Sequence, residues 1–327
     1  MSERSALHVP ARELPVPRSV SPEAQAFLAA GRFVDDMAMP PADDLDAWRI
    51  FVAEGEEAMI PVVAGRAAAF GAAVTERSVA GQCVFVITPK GVDEADPRRY
   101  LDIHGGGLTG GAGPLCRAMG IIAAERMQVT TWAVDYRLPP DHPYPAPLGD
   151  CVAAYRAMLE EHRPEHIVVG GESAGGNLAP ALVLRARDED LPLPAALVLI
   201  SPELDLTESG DSFQANLGVD SNLPGSLMQA NLLYAGGHDL EDPYVSPLFG
   251  DFSKGFPPTI LTAGTRDLFL SNAVRMHRAL RRVGVEVHLH VKEAAPHSAF
   301  FGTAPEDEEI DDEIRAFAQR HWAGTTT

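Results

Sequence analysis

A serine set among glycines, three glycines behind a histidine, and a late aspartate and histidine are the residues of this 327-residue chain that could do chemistry together. Ser173 lies in Gly171-Glu172-Ser173-Ala174-Gly175, between an apolar strand-like run (166–170, HIVVG) and an Ala/Leu-rich helix-like run (176–187). A serine on so sharp a strand-to-helix turn has strained backbone geometry, and small residues at 171, 175 and 176 let the chain pass without clashes. Its hydroxyl would project above a sheet as a nucleophile. The helix N-terminus behind it offers N–H groups to developing negative charge.

Upstream, His104-Gly105-Gly106-Gly107 directly follows another strand-like run, 99–103. Consecutive glycines weaken a strand and cost entropy, so packing does not account for them. Backbone exposure does, because bare N–H groups can point at an oxyanion; a flexible turn is the alternative for the later glycines. In the chain order Ser, then Asp/Glu, then His, the partners of Ser173 fall downstream. The strand-like run 258–264 leads into Thr265-Arg266-Asp267, and the run 285–291 leads into Glu293 and His297. A carboxylate just past a strand's C-terminal end is where a doubly wound sheet presents active-site groups. Asp267 could instead cap the helix-like segment that follows, and Glu293, Asp239, Asp242 and Asp251 are the rival carboxylates. The remaining histidines read structurally. His288 and His290 alternate with apolar residues on an edge-like strand, Pro164 separates His162 from His166, and His142 lies in a Pro-rich loop.

With these motifs in place the chain resembles the hormone-sensitive-lipase-like esterases, α/β-hydrolases that carry HGGG together with Gly-[Asp/Glu]-Ser-Ala-Gly-Gly. The likeness runs from about residue 98 to about 302. It includes the stretch from Tyr136-Arg137-Leu138-Pro139 to Ala146, and Ser201-Pro202-Glu203-Leu204-Asp205-Leu206. The resemblance implies Ser173 as nucleophile, Asp267 as acid and His297 as base, with oxyanion donors from Gly105, Gly106 and Ala174. It also implies a helical cap over the site and, in many members, a homodimer formed along the last strand, here 285–291. Leu108, Glu203, Ser271 and Ser298 depart from the family pattern; they bear on substrate preference and remove no catalytic group.

The elements that must position these residues alternate along the chain. Strand-like runs fall at 83–88, 99–103, 129–135, 166–170, 195–201, 258–264 and 285–291, with helix-like runs at 115–127, 147–162, 176–187 and 272–283. Such alternation predicts an α/β fold with a mainly parallel central sheet and helices on both faces; with the motifs, this is the α/β-hydrolase fold. Two regions break the rhythm. Residues 1–55 hold amphipathic stretches near 22–30 and 45–59, and 206–247 interrupts the sheet with apolar residues suited to short helices. We divide the chain into an N-terminal cap part (1–55), a first core part (56–205), a cap insertion (206–247) and a second core part (248–327). A serine at a sheet rim needs apolar walls to bind an ester and exclude water, which favours the cap over two packing excursions.

The net charge of −20 argues against nucleic acid and anionic membrane surfaces as partners. No apolar run has the length of a membrane span, and the N-terminal ten residues lack a secretory apolar region. Three scattered cysteines suit neither a disulfide framework nor a zinc site, so a cytoplasmic location is expected. The expected reaction is cofactor-free, metal-free hydrolysis of small short- to medium-chain acyl esters. A lactone hydrolase, a metabolite deacetylase or amidase, and a non-catalytic ligand-binding relative are the alternatives.

Overall fold

The computed structural model describes residues 10–31, 38–93, 95–223 and 225–323; the start of the N-terminal part, residues 1–9, lies outside them. The chain opens with two helices, α1 (Pro22–Ala29) and α2 (Leu45–Ala67). Ser21 and Asp44 cap them by accepting the N–H of Ala24 and Ala47. Helix α2 runs past residue 55, so that boundary falls inside a helix. The alternating part follows: β1 (Ala72–Val79), β2 (Gln82–Pro89), β3 (Arg99–Ile103), α3 (Pro114–Met127), β4 (Thr130–Asp135), α4 (Ala146–Glu161), β5 (Ile167–Glu172), α5 (Gly175–Asp188) and β6 (Ala196–Ile200). The excursion after β6 holds two short helices, α6 (Ser212–Ala215) and α7 (Met228–Ala235). It returns to β7 (Thr259–Gly264), α8 (Leu270–Arg282), β8 (Val287–Lys292) and α9 (Pro305–His321).

The eight strands form one sheet in the order β1-β2-β4-β3-β5-β6-β7-β8. The pairs β1–β2 and β2–β4 are antiparallel, and every pair from β4 to β8 is parallel. Parallel central strands are buried on both faces, which is why their sequences read as continuous apolar runs. Val169, Leu197 and Leu199 pack toward Leu178, Leu182 and Met276. Val168, Val198 and Ile260 face the other way, onto Ala123, Met127, Ile314, Phe317 and Trp322. The register aligns the strand ends: Ile103 sits beside Gly171, Ile200 beside Thr262 and Gly264 beside Lys292. The loops after β3, β5, β7 and β8 therefore open on one rim, and these loops carry His104, Ser173, Asp267 and His297.

The two irregular parts meet each other. Trp48 of α2 is fully buried in a cluster with Ala230 and Leu233 of α7, and the Ala42 N–H donates to Gln229 at 2.8 Å. Among the described residues no helix is long and apolar enough to cross a membrane. Strand β8 is an edge of the sheet, as its alternating pattern predicts.

Candidate active site

The turn from β5 into α5 puts Ser173 at φ 56°, a left-handed conformation that an L-residue adopts only at a cost. The turn closes because nothing else fits beside it. A Cβ at Gly175 would lie 1.8 Å from the Ile103 carbonyl oxygen, and one at Gly171 would lie 2.4 Å from the Gly175 backbone. The Ser173 N–H is spent on the Ile200 carbonyl at 2.9 Å, so the strained residue is tied to the neighbouring strand.

The His297 Nε2 lies 2.9 Å from the Ser173 Oγ, and its Nδ1 lies 3.2 Å from the Asp267 Oδ1. The structure thus brings together the three residues that sequence order selected. Asp267 is fully buried, and the same Oδ1 also accepts the Phe269 N–H at 2.8 Å. The carboxylate faces the imidazole, and it is not the cap of α8: that helix has Phe269 at its N-cap position and no side-chain cap. The rival carboxylates are occupied elsewhere: Asp239, Asp242 and Asp251 each accept the N–H two residues on, and Glu293 accepts the Ser19 hydroxyl.

Burial by itself would raise the Asp267 carboxyl, but the His297 charge and hydrogen bond outweigh it and hold the group below the usual range. Burial likewise disfavours the imidazolium of His297. Asp267 first, then Asp220 and Glu172, overcome that and raise the imidazole above its ordinary value, to about 9. The Phe269 ring packs edge-on against the imidazole at 4.8 Å and shields it.

The glycine loop lies alongside the serine. A Cβ at Gly105 would come within 3.4 Å of the Ser173 Cβ, and Gly106 takes φ 131°, where a Cβ would lie 2.1 Å from the Gly110 carbonyl oxygen. Among the described residues, none of the loop and turn backbone bonds uses the N–H of Gly105, Gly106 or Ala174. Neighbouring elements hold the loop. The Tyr136 hydroxyl donates to the His104 carbonyl at 2.8 Å, and its ring stacks on the His104 imidazole at 4.0 Å. Glu56 of α2 accepts the Gly111 N–H, and Asp135 accepts the Gly113 N–H. His104, Cys116 and Asp135 place ligand atoms within 4.8 Å of one another, the spacing of a metal site among the described residues. Two of these side chains already serve the loop's own hydrogen bonds, Asp135 to Gly113 and His104 Nδ1 to the Gly105 carbonyl at 2.7 Å.

Sequence reasoning passed over Asp220, a buried residue of the insertion whose carboxylate accepts the backbone N–H of both Leu268 and His297. Glu203, noted as a departure, is fully buried beside the elbow, its N–H 3.2 Å from the Ser173 carbonyl oxygen. Burial first, then the Glu208 charge, pushes its carboxyl up to about 8. Ser271 exchanges hydrogen bonds of 2.9 Å with Ser212 and so ties α8 to the insertion.

Residues 100–301 match the family described as alpha/beta hydrolase fold. The chain is 36% identical over 189 residues to an esterase of Acinetobacter venetianus, covering 57% of this chain and 62% of that one. It is 34% identical over 194 residues to an acetyl-hydrolase of Streptomyces hygroscopicus, covering 59% and 64%. The match thus spans somewhat less than two thirds of each of these relatives. A solved esterase structure superposes with a TM-score of 0.86 at 32% identity, covering 97% of this chain and 99% of that one. An esterase from the bacterial hormone-sensitive lipase family gives 0.77 at 28% identity, covering 93% and 99%. With this rim geometry, the chain belongs to the alpha/beta hydrolase fold family, and it is similar to esterases that include one of the bacterial hormone-sensitive lipase family.

Proposed function

We propose that the chain is a serine carboxylesterase that hydrolyses short- to medium-chain acyl esters through Ser173, Asp267 and His297. The continuous contact from Ser173 Oγ through both nitrogens of His297 to Asp267, at 2.9 and 3.2 Å, carries this reading. As the serine oxygen attacks the ester carbonyl, Nε2 takes its proton, and Asp267 holds the tautomer and stabilises the imidazolium. The N–H groups of Gly105, Gly106 and Ala174 receive the tetrahedral oxyanion; losing one such donor costs about 3 kcal/mol of barrier. Collapse breaks the ester C–O bond, and the alcohol leaves with the proton from Nε2. Water then attacks the acyl-serine, giving a proton to Nε2; the second tetrahedral intermediate breaks its bond to Oγ, which takes that proton back from Nε2 as the carboxylic acid leaves.

Helix α2 and the insertion form the cap in this reading. The cluster of Trp48 with Ala230 and Leu233 supports one joint cover, and Glu56 links α2 directly to the glycine loop. The names of the relatives, an esterase and an acetyl-hydrolase, fit a modest acyl group. A cytoplasmic location is proposed on three free cysteines, two of them buried. A homodimer along the β8 edge is proposed from the family resemblance, and sedimentation showing only monomer at micromolar concentration contradicts it.

The test is a p-nitrophenyl ester series from acetate to palmitate with wild type beside Ser173→Ala. Hydrolysis peaking at short or middle chains and abolished by the substitution is the expected result. Wild-type inactivity on every chain length, with turnover of lactones or amides instead, moves the chain to those substrate classes.

A further inference from the structure

Three polar side chains of the insertion between β6 and β7 reach out of it to the two loops that carry the acid and the base. The Asn216 Nδ2 donates to the carbonyls of Asp267 at 2.8 Å and Thr265 at 3.3 Å. The Asp220 Oδ2 accepts the Leu268 N–H at 2.8 Å, and both its oxygens receive the His297 N–H at 3.1 Å. The Asn222 Nδ2 donates to the carbonyls of His297 at 2.7 Å and Ala299 at 2.9 Å. His297 is therefore held at both its backbone N–H and its C=O by residues two apart in sequence. Asp220 is fully buried, and its Oδ1 also receives the N–H of Asn222 at 3.0 Å and of Leu223 at 3.1 Å.

We propose that Asn216, Asp220 and Asn222 form a clamp that sets the separation of the acid and base loops, with Asp220 as its central positioning residue. The proposal rests on the triad reading given above. A buried carboxylate is retained only where donors compensate its desolvation, and here the donors are backbone N–H groups of three segments. The acid and base loops sit on adjacent strands and have different lengths, so strand register alone does not fix His297 against Asp267. A third segment bonded to both does. The carboxylate also adds its charge to those of Asp267 and Glu172, the other acids that act on the imidazole. Asp220→Asn keeps the volume but replaces one acceptor oxygen by an NH2 facing N–H donors, so it weakens the grip and removes the charge.

Two readouts test this, one independent of ester turnover: the downfield proton resonance of His297 followed against pH, and the labelling rate of Ser173 by a fluorophosphonate. Asp220→Asn should lower the His297 titration midpoint and slow labelling about 10- to 100-fold, with KM for p-nitrophenyl butyrate within about threefold of wild type. Asp220→Glu restores the charge and hence the midpoint, with part of the rate. Asn222→Ala removes two neutral donors, so it slows labelling about tenfold and leaves the midpoint in place. A folded Asp220→Asn protein with wild-type midpoint and labelling rate overturns the clamp. If that variant does not fold, an unchanged rate in Asn222→Ala overturns it equally. Should Ser173→Ala still hydrolyse esters, the triad reading fails, while the His297 titration in Asp220→Asn still decides the clamp.

Discussion

Gly264 ends β7 where the acid loop begins, and it offers a measured displacement of the triad. A Cβ there would lie 1.9 Å from the Ala295 carbonyl oxygen, 2.5 Å from its carbon and 2.9 Å from its Cβ. These are mainly backbone atoms of the loop that leads to His297, so no flexible side-chain end can swing away. Real Cβ contacts essentially never fall below 3.0 Å, so Gly264→Ala must open the two loops by at least about 1.1 Å. The Arg266 N–H bond to the same Ala295 oxygen, 3.1 Å, stretches with them. If the opening passes to the triad, the His297–Asp267 contact grows from 3.2 Å to beyond 4 Å and ceases to be a hydrogen bond. A misplacement of about 1 Å costs about a hundredfold in rate, and overpacking of this kind costs about 1–3 kcal/mol of stability. The assay is kcat on p-nitrophenyl butyrate, normalised by active-site titration, beside a thermal unfolding curve. Gly149→Ala is the control, since its added Cβ meets nothing within 4 Å. A folded Gly264→Ala protein with wild-type kcat would falsify the claim that the close packing of these loops sets the triad.

Four further outcomes follow from the same geometry. His297 must be neutral to take the serine proton, and its imidazole is raised, so kcat/KM should fall as pH drops through a midpoint well above 6.5. Asp267→Asn should move that midpoint to lower pH and cut kcat about ten-thousand-fold, and a pH–rate profile with an unmoved limb contradicts the assignment. Gly55→Ala and Gly65→Ala lie inside α2 with open space around the new methyl, so each should stabilise by about 0.5–1 kcal/mol; a lowered melting temperature refutes this. Burial, only partly offset by a side-chain hydrogen bond with Asn231, makes the Glu203 carboxyl costly to ionise, so Glu203→Met should add about 1 kcal/mol to the unfolding free energy, and a loss in denaturant titration would show that the Asn231 bond outweighs the burial cost.

Most of the sheet was legible because parallel, doubly buried strands write continuous apolar runs. The run 99–103 coincides with β3, and the remaining runs meet their strands within two residues at either end. Strand β1 was not legible: it lies at an edge of the sheet, none of AAVTERSV is fully buried, its half-buried and exposed residues change phase at Thr75–Glu76, and the half-buried positions include Arg77, so no apolar alternation is written in the sequence. Helix α9 was passed over because acids crowd its first turns, although Ile310, Ile314, Phe317 and Ala318 have helical spacing and pack against the sheet. The elbow and the glycine loop were readable because steric crowding leaves glycine as the one residue that fits, and that demand leaves a sequence trace. Asp220 leaves none. Its local bonds to the N–H groups of Asn222 and Leu223 are those of an ordinary turn, and its distant partners are backbone N–H groups 48 and 77 residues away, which any residue supplies, so only the folded chain reveals what it does.

The account stands most directly on Ser173 being the atom that is acylated. Treating the protein with diethyl p-nitrophenyl phosphate and mapping the modified peptide by mass spectrometry tests this in one step. The prediction is stoichiometric phosphorylation at Ser173 with parallel loss of ester hydrolysis, and no adduct in Ser173→Ala. Hydrolysis that survives full modification of Ser173, or inactivation with the adduct on another residue, would contradict it.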